Sequence, residues 1–200
     1  MSSFIQAFGL GGEGEPCEEH EPPAWIGPPE DELGVATPLN VVVGRSAQGA
    51  VALTQAVSFS TGLTLSFVAQ ARDLDRRATQ LLFHEQHPFG SGEDDLPEGF
   101  LRLGVELPGG GRASNIGGRP PFGEDEPHGP VFIHRGGGSG GGRRDRVTMN
   151  NDYWVWPLPE PGTIRVSCEW PLVDIALSTV EIDGAALVEA ATRVLPLWPA

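Results

Sequence analysis

The feature that most constrains the fold is a period-two pattern between residues 151 and 170. In the second half of this stretch apolar and polar side chains alternate strictly, and the apolar ones are Ile164, Val166, Cys168 and Trp170. Alternation of this kind is typical of a β-strand that buries one face. We therefore predict a strand here whose inner face carries Trp170.

The first half of the same stretch carries two more tryptophans on one face, Trp154 and Trp156. A connector with three prolines separates it from the second half. Because proline fixes φ and cannot donate to a β-ladder, we expect the connector to be a long, stiff loop. The two halves are predicted to pair as a hairpin, with Trp154, Trp156 and Trp170 at the centre of the core.

Shorter alternating runs predict further strands over residues 37–46, 50–72, 79–83, 101–107, 131–135 and 177–182. Residues 50–72 are predicted to be a hairpin in which Phe59 pairs with Leu63 and Gly62 has a left-handed conformation. A single helix is expected over residues 184–195, with Asp183 as its N-cap. Together these elements predict a mainly β protein, an antiparallel β-sandwich of the Ig-like or Greek-key type with one C-terminal helix.

The acidic residues divide the chain into an arm and a body. Residues 1–32 contain eight acids and no Arg or Lys, which is typical of a solvated, partly disordered arm. Trp25 stands next to a Pro-Pro step in this arm, so we expect its side chain to dock on the folded body. Residues 33–200 are then a single β-sandwich domain that ends with the helix over residues 184–195.

The charge and the apolar content limit the possible partners and compartments. A net charge of −14, with Arg as the only cation besides His, disfavours binding to nucleic acid or to an anionic membrane. The sequence also lacks a signal peptide and any apolar stretch of the ~20 residues that span a bilayer, so a cytoplasmic protein is expected. Whether Cys17 and Cys168 pair is left open, because two cysteines also suit a reducing compartment.

Two apolar regions indicate a contact with another protein, or with a second copy of this chain. Tyr153 and Val155 lie on the opposite face of the predicted strand from the tryptophans, where an uncovered apolar face would seek a partner. The tail Leu195-Pro196-Leu197-Trp198 extends such a surface. We therefore expect a non-catalytic protein-interaction or structural module, with partner-binding residues Tyr153, Val155, Leu197 and Trp198.

The alternative is a metal- or anion-binding enzyme or sensor. Loop carboxylates are the ligands that Ca²⁺ prefers, and the candidates are Asp94, Asp95, Glu124 and Asp125. The Gly-rich stretch between residues 135 and 146 is interpreted first as a flexible tether. In the alternative, its backbone N–H groups bind an anion beside Arg135, Arg143, Arg144 and Arg146. The sequence shows neither a matched set of zinc ligands nor a nucleophile motif. No cofactor and no catalytic residue are predicted, and the question of an enzyme stays open.

Three segments carry a resemblance to a known group of sequences. They are PAWIGPPEDELGV, RASNIGG and the stretch from DYWVWPLPEPGTIRVSCEWP through EIDGAALVEAATRVLPLWP, and the most specific pattern is WxWPLPxPG…EWP. From about Pro23 onward the chain is similar to an uncharacterised actinobacterial family of hypothetical proteins. The resemblance implies a bacterial, cytoplasmic protein and assigns no activity, cofactor or site residue.

Overall fold

A computed structural model describes residues 22–84, 96–116, 126–143 and 146–199 of the chain. The strands in chain order are β1 (Glu32–Leu33), β2 (Val35–Arg45), β3 (Gly49–Ser58), β4 (Leu63–Arg72), β5 (Arg102–Glu106), β6 (Arg112–Ser114), β7 (Val131–Arg143), β8 (Arg146–Trp156), β9 (Thr163–Trp170), β10 (Ile175–Asp183) and β11 (Leu195–Pro196). The helices are α1 (Arg76–His84), the 3₁₀ turn Pro171–Val173 and α2 (Gly184–Ala191).

Two antiparallel sheets form a sandwich-like body. The first sheet has the strand order β2-β3-β4-β8-β7, and the second has the order β10-β9-β5-β6. A separate two-stranded ribbon pairs β1 with β11. The described residues thus confirm the predicted mainly β, antiparallel fold and its C-terminal helix.

The main core is made by the side chains that alternate inward from facing strands. On β4 every second side chain is buried, and these are Leu63, Leu65, Phe67, Ala69 and Ala71. On β9 the inward set is the predicted one, Ile164, Val166, Cys168 and Trp170, and all four are at most 1% exposed. Burying such apolar area is the principal favourable term in folding, and on β4 and β9 the apolar face of the period-two pattern is the buried one.

The outer face of the second sheet carries a row of alternating charges, one from each strand. Arg165 on β9 contacts Glu181 on β10 at 3.1 Å and Glu106 on β5 at 2.9 Å, and Glu106 also contacts Arg112 on β6 at 2.7 Å. Each contact joins residues that are directly opposite in the strand register. Opposite charges at such positions favour this register over a shifted one.

The predicted hairpin between residues 151 and 170 is wrong. β8 lies in the first sheet and β9 in the second, so the proline-rich connector crosses from one sheet to the other. Trp170 is in the main core as predicted, but Trp154 points to the outer face of the first sheet, and Trp156 beside it is only partly buried. Period two shows which residues share a face, but it does not show which face meets the other sheet.

The predicted hairpin of residues 50–72 exists, with a different turn and a changed phase. A bulge between Leu53 and Gln55 switches the parity of β3, so Ala56 and Ser58 replace Val57 and Phe59 on the buried side. The turn closes with a hydrogen bond from Phe59 N–H to the Gly62 carbonyl at 2.9 Å, and Leu63 pairs with Ser58 instead of Phe59.

Gly62 does not have the left-handed conformation expected for it. Glycine is needed there because a Cβ would stand 2.5 Å from the Val155 carbonyl oxygen and 2.6 Å from the Trp154 ring. The close approach of β8, and not the turn geometry, therefore accounts for this residue.

Two further segments differ from the prediction. Residues 79–83 belong to helix α1 instead of a strand, because Asp75 caps its start by accepting a hydrogen bond from Ala78 N–H at 2.7 Å. The Gly-rich stretch, predicted to be a loose tether, continues strand β7 and pairs with β8 as far as Arg143. Strand pairing uses backbone N–H and C=O groups, which glycine also has, so glycine residues can form this part of the strand.

The C-terminal helix α2 is shorter than predicted, ending at Ala191 rather than at residue 195. Asp183 caps its start as expected, since its carboxylate accepts hydrogen bonds from Ala185 N–H and Ala186 N–H. Leu187 faces inward and is fully buried, which fixes the helix on the body.

The segment that precedes β1 covers the outer face of the first sheet. Trp25 is 3% exposed and packs with Trp154, Val131 and Ile133 in a small cluster separate from the main core. The Trp154 indole N–H donates to the Ala24 carbonyl at 3.1 Å. The expectation that Trp25 docks on the body is thereby confirmed.

Candidate functional site

Among the residues that the structure describes, four exposed apolar side chains lie together at the β1–β11 ribbon. The group, which we call the ribbon patch, consists of Leu33 (55% exposed), Leu195 (60%), Leu197 (45%) and Trp198 (71%). Leu197 and Trp198 were expected from the sequence to be available to a partner, and the structure leaves both exposed. Exposed apolar side chains are ordinary when scattered but significant when grouped on one element.

Backbone pairing brings the members of the ribbon patch together although they are far apart in sequence. Leu33 is directly opposite Leu195 in the ribbon register. Leu197 N–H donates to the Asp31 carbonyl at 2.7 Å, which extends the pairing by one more step. Leu33 and Leu195 therefore share one face of the ribbon, and Leu197 and Trp198 follow in the bend that ends β11.

The ribbon is attached to the body from both of its strands. The Glu32 carboxylate accepts a hydrogen bond from Ser60 N–H at 3.0 Å, which ties β1 to the β3–β4 turn. β11 follows α2, which packs against β2, β3 and β9. The patch is therefore held in place by the same elements that build the core.

Leu33 is the member of the patch that sequence reasoning missed. It is an isolated leucine between acids and a glycine, and no periodic run includes it. Only the pairing of β1 with β11, between segments about 160 residues apart, places it beside Leu195. No local pattern in the sequence signals this contact.

Tyr153 and Val155, the other two predicted partner-binding residues, are buried. They are on the inner face of β8 and are 6% and 0% exposed. The Tyr153 ring stacks on Phe132 with centroids 4.4 Å apart, and its hydroxyl accepts a hydrogen bond from the Asn115 amide at 3.3 Å. Burial raises the pKa of Tyr153. The prediction was wrong for these two residues because the sandwich turns this face of β8 inward.

Of the predicted anion-binding arginines, the structure describes the side chains of Arg135 and Arg146. Arg135 donates to the Ile26 carbonyl at 3.1 Å and lies against Gly27, so it fastens the N-terminal segment. Arg146 is exposed, and its backbone pairs with that of Arg143 where β7 meets β8. Arg144 lies outside the described residues. Arg135 therefore has a structural contact, and anion binding by these arginines stays a prediction.

The predicted metal ligands fall outside the part of the chain that the structure describes. Asp94, Asp95, Glu124 and Asp125 are all in this position. Within the described ranges, no group of three or more His, Cys, Asp or Glu side chains is arranged to hold a metal ion.

A groove of about 600 Å³ lies where the edges of the two sheets meet. Its walls are residues 42–45 of β2 and residues 174–178, and both strands have a register irregularity there. Val42 and Leu177 are exposed on its walls, and Ser178 donates a hydrogen bond to the Val43 carbonyl. This hydrogen bond links the two sheets at the groove. The register irregularities make both strand edges bulged, and bulged edges resist pairing with another chain.

The thiol of Cys168 lies beneath the groove and is buried. Burial disfavours the charged thiolate and raises the pKa of the thiol to about 11. A hydrogen bond with Ser178 lowers the pKa, but by less than burial raises it. A thiol with such a pKa is almost entirely protonated at neutral pH and is a poor nucleophile. Cys168 therefore acts as a core residue, as its position on the inner face predicted.

Comparison with protein-family models, with curated proteins and with solved structures finds no match. Within the described residues, no helix has the length and apolar character needed to cross a membrane.

Proposed function

We propose that this protein is a non-catalytic β-sandwich that binds another protein through the ribbon patch. The observation that carries the proposal is the grouping of four large apolar side chains on one small, anchored ribbon. Tryptophan is among the side chains that contribute most of the energy at protein contacts, and the leucines beside it add apolar area that a partner would bury. In this proposal the protein acts in the cytoplasm, where its thiols stay reduced.

The anchoring of the ribbon supports binding over a merely frayed terminus. Hydrogen bonds fix β1 to the body through Glu32 and to β11 through Asp31 and Leu197. A surface that is already ordered loses less conformational entropy when a partner binds. A partner is therefore expected to bind the ordered patch more tightly than it would bind the same four side chains on a loose tail.

Site-specific photocrosslinking tests the proposal. The photoreactive residue benzoylphenylalanine replaces Leu197 in one variant and Leu177 in a control, because Leu177 is also an exposed leucine but lies at the groove. Irradiation in a lysate of the source cells is expected to give discrete crosslinked protein bands from position 197 and none of these bands from position 177. Identical bands from both positions, or none from position 197, would contradict the proposal.

The metal- or anion-binding alternative stays a prediction. Thermal melts in the presence of Ca²⁺, Zn²⁺, phosphate and nucleotides discriminate it, because a ligand that binds only the folded state raises the melting temperature. A stabilising shift with any of these ligands would favour the alternative over the protein-binding proposal.

A further inference from the structure

The charges beside the ribbon patch are mainly negative. The sequence over residues 30–33 and 193–199, which contains the ribbon and its flanks, has three acids, Glu30, Asp31 and Glu32, and one cation, Arg193. Glu30 and Asp31 are exposed, and Asp31 is next to the patch because its carbonyl pairs with Leu197. None of the ion pairs among the described residues involves these acids. The patch therefore has an apolar centre and flanks that carry more acids than cations.

An apolar centre with an acidic margin determines which partner fits. Charges across a contact increase the association rate and reject wrong partners when their signs are complementary. A partner with Lys or Arg around an apolar centre would neutralise Glu30 and Asp31, whereas an acidic partner would be repelled. The net charge of −14 adds a long-range field of the same sign.

A second copy of the chain fits this surface less well. In a two-fold dimer the same patch meets itself, which brings the acids of both copies to one contact. Each copy also brings a net charge of −14. Repulsion of this kind opposes association, most strongly at low salt.

From this charge pattern we infer that the ribbon patch binds a polypeptide segment that has a cluster of apolar side chains flanked by Lys or Arg. The inference rests on the proposed function and adds the chemistry of the partner to it. The apolar side chains cover Leu33, Leu195, Leu197 and Trp198, and the basic residues lie over Glu30 and Asp31.

Selection from a displayed library of random 12-residue peptides tests the inference with the full chain as the target. Peptides that also bind the double variant Leu195→Ser/Trp198→Ser are discarded. The folding of this variant is checked by circular dichroism and by its melting temperature. Peptides that survive are expected to share two or more apolar residues with Lys or Arg on at least one side.

The affinity of a selected synthetic peptide is then measured for the charge variant Glu30→Gln/Asp31→Asn. Affinity is expected to fall about threefold to tenfold, which is typical of losing two exposed charge pairs, and to become less sensitive to salt. The control is Asp174→Asn, since Asp174 is an exposed acid beside Arg45, at the opposite end of β2 from the ribbon and roughly 30 Å along the strand. This control is expected to leave the affinity unchanged.

The outcomes separate the inference from the function on which it rests. Peptides that need Leu195 and Trp198 but lack basic residues, with full affinity for the charge variant, would overturn the inference and leave the proposed function standing. Failure to select any peptide that depends on the patch would overturn both. A concentration-dependent dimer in sedimentation velocity that is lost in Leu195→Ser/Trp198→Ser would replace the basic segment with a second copy.

Discussion

Leu33 and Leu195 lie directly opposite each other across the ribbon, and more than half of each side chain is exposed. One follows the N-terminal segment and the other follows the last helix, so the two ends of the described chain meet at this pair. The exposed patch is therefore a product of the tertiary fold. Its integrity depends on the packing of both segments against the body.

The N-terminal segment is expected to contribute to the stability of the body through Trp25. Replacing Trp25 with Ala removes an indole that is 3% exposed and uncovers Trp154, so we expect a loss of about 3 kcal/mol in the free energy of unfolding. Trp198→Ala is the matched control and should cost less than about 0.5 kcal/mol, because Trp198 is exposed. Urea unfolding followed by circular dichroism measures both values. Equal losses in the two variants would refute the docking of the segment.

Gly62 is expected to tolerate no side chain. A Cβ at this position meets the Val155 carbonyl oxygen, which belongs to the backbone and moves only with its strand, so Gly62→Ala should destabilise by about 1–3 kcal/mol. Gly136→Ala is the control, since a Cβ at Gly136 meets nothing within 4 Å. Chemical denaturation of the two variants checks the difference. A Gly62→Ala protein as stable as the control would show that β8 does not approach the turn so closely.

The charge row on the second sheet makes stability depend on pH through Glu106. Hydrogen bonds from Arg112 and Arg165 lower the pKa of Glu106 below its ordinary value of 4.5. A lowered folded-state pKa stabilises the fold above the unfolded-state value, and this contribution is lost as the pH falls through the folded-state value.

Glu106→Gln is therefore expected to lower the melting temperature at neutral pH and to have a diminishing effect below pH 4.5. High salt should also reduce the effect at neutral pH, since the row is exposed. Melting curves over a pH series provide the measurement. A difference that is constant down to low pH would show that the contact with the two arginines is not electrostatic.

The buried thiol gives a test of the core that needs no denaturant. In a Cys17→Ser background, Cys168 should react slowly with iodoacetamide at pH 8, because burial shields it and raises its pKa to about 11. Unfolding the protein in urea should make the reaction rapid. Mass spectrometry measures the modified fraction with time, and equally fast labelling in both states would contradict the burial of Cys168 beneath the groove.

The sequence predicted those parts of the fold that depend on local alternation. The buried faces of β4 and β9 follow directly from their period-two patterns, and the cap of α2 follows from Asp183. The bulge at Leu53 could not be predicted in this way, because one extra residue reverses the parity without any change in composition. The Gly-rich part of β7 was missed because strand propensity is a property of side chains, which glycine lacks.

The candidate site was only half predictable for a related reason. Leu197 and Trp198 belong to an apolar tail that is visible in the sequence, and both are exposed. Tyr153 and Val155 share a face that the alternation defines, but only the stacking of two sheets decides that this face is inside. Leu33 joins the site through a long-range pairing that has no local signal.

The most direct test of the ribbon patch as the binding surface is the affinity of the partner found by crosslinking for two double variants. Isothermal titration calorimetry compares Leu195→Ser/Trp198→Ser with Val42→Ser/Leu177→Ser, which removes equally exposed apolar side chains at the groove. We predict at least a roughly thirtyfold loss of affinity in the first variant, since a buried tryptophan contact contributes about 2 kcal/mol or more, and no loss in the second. Equal affinity of both variants for the ligand would contradict the assignment of the ribbon patch as the binding surface.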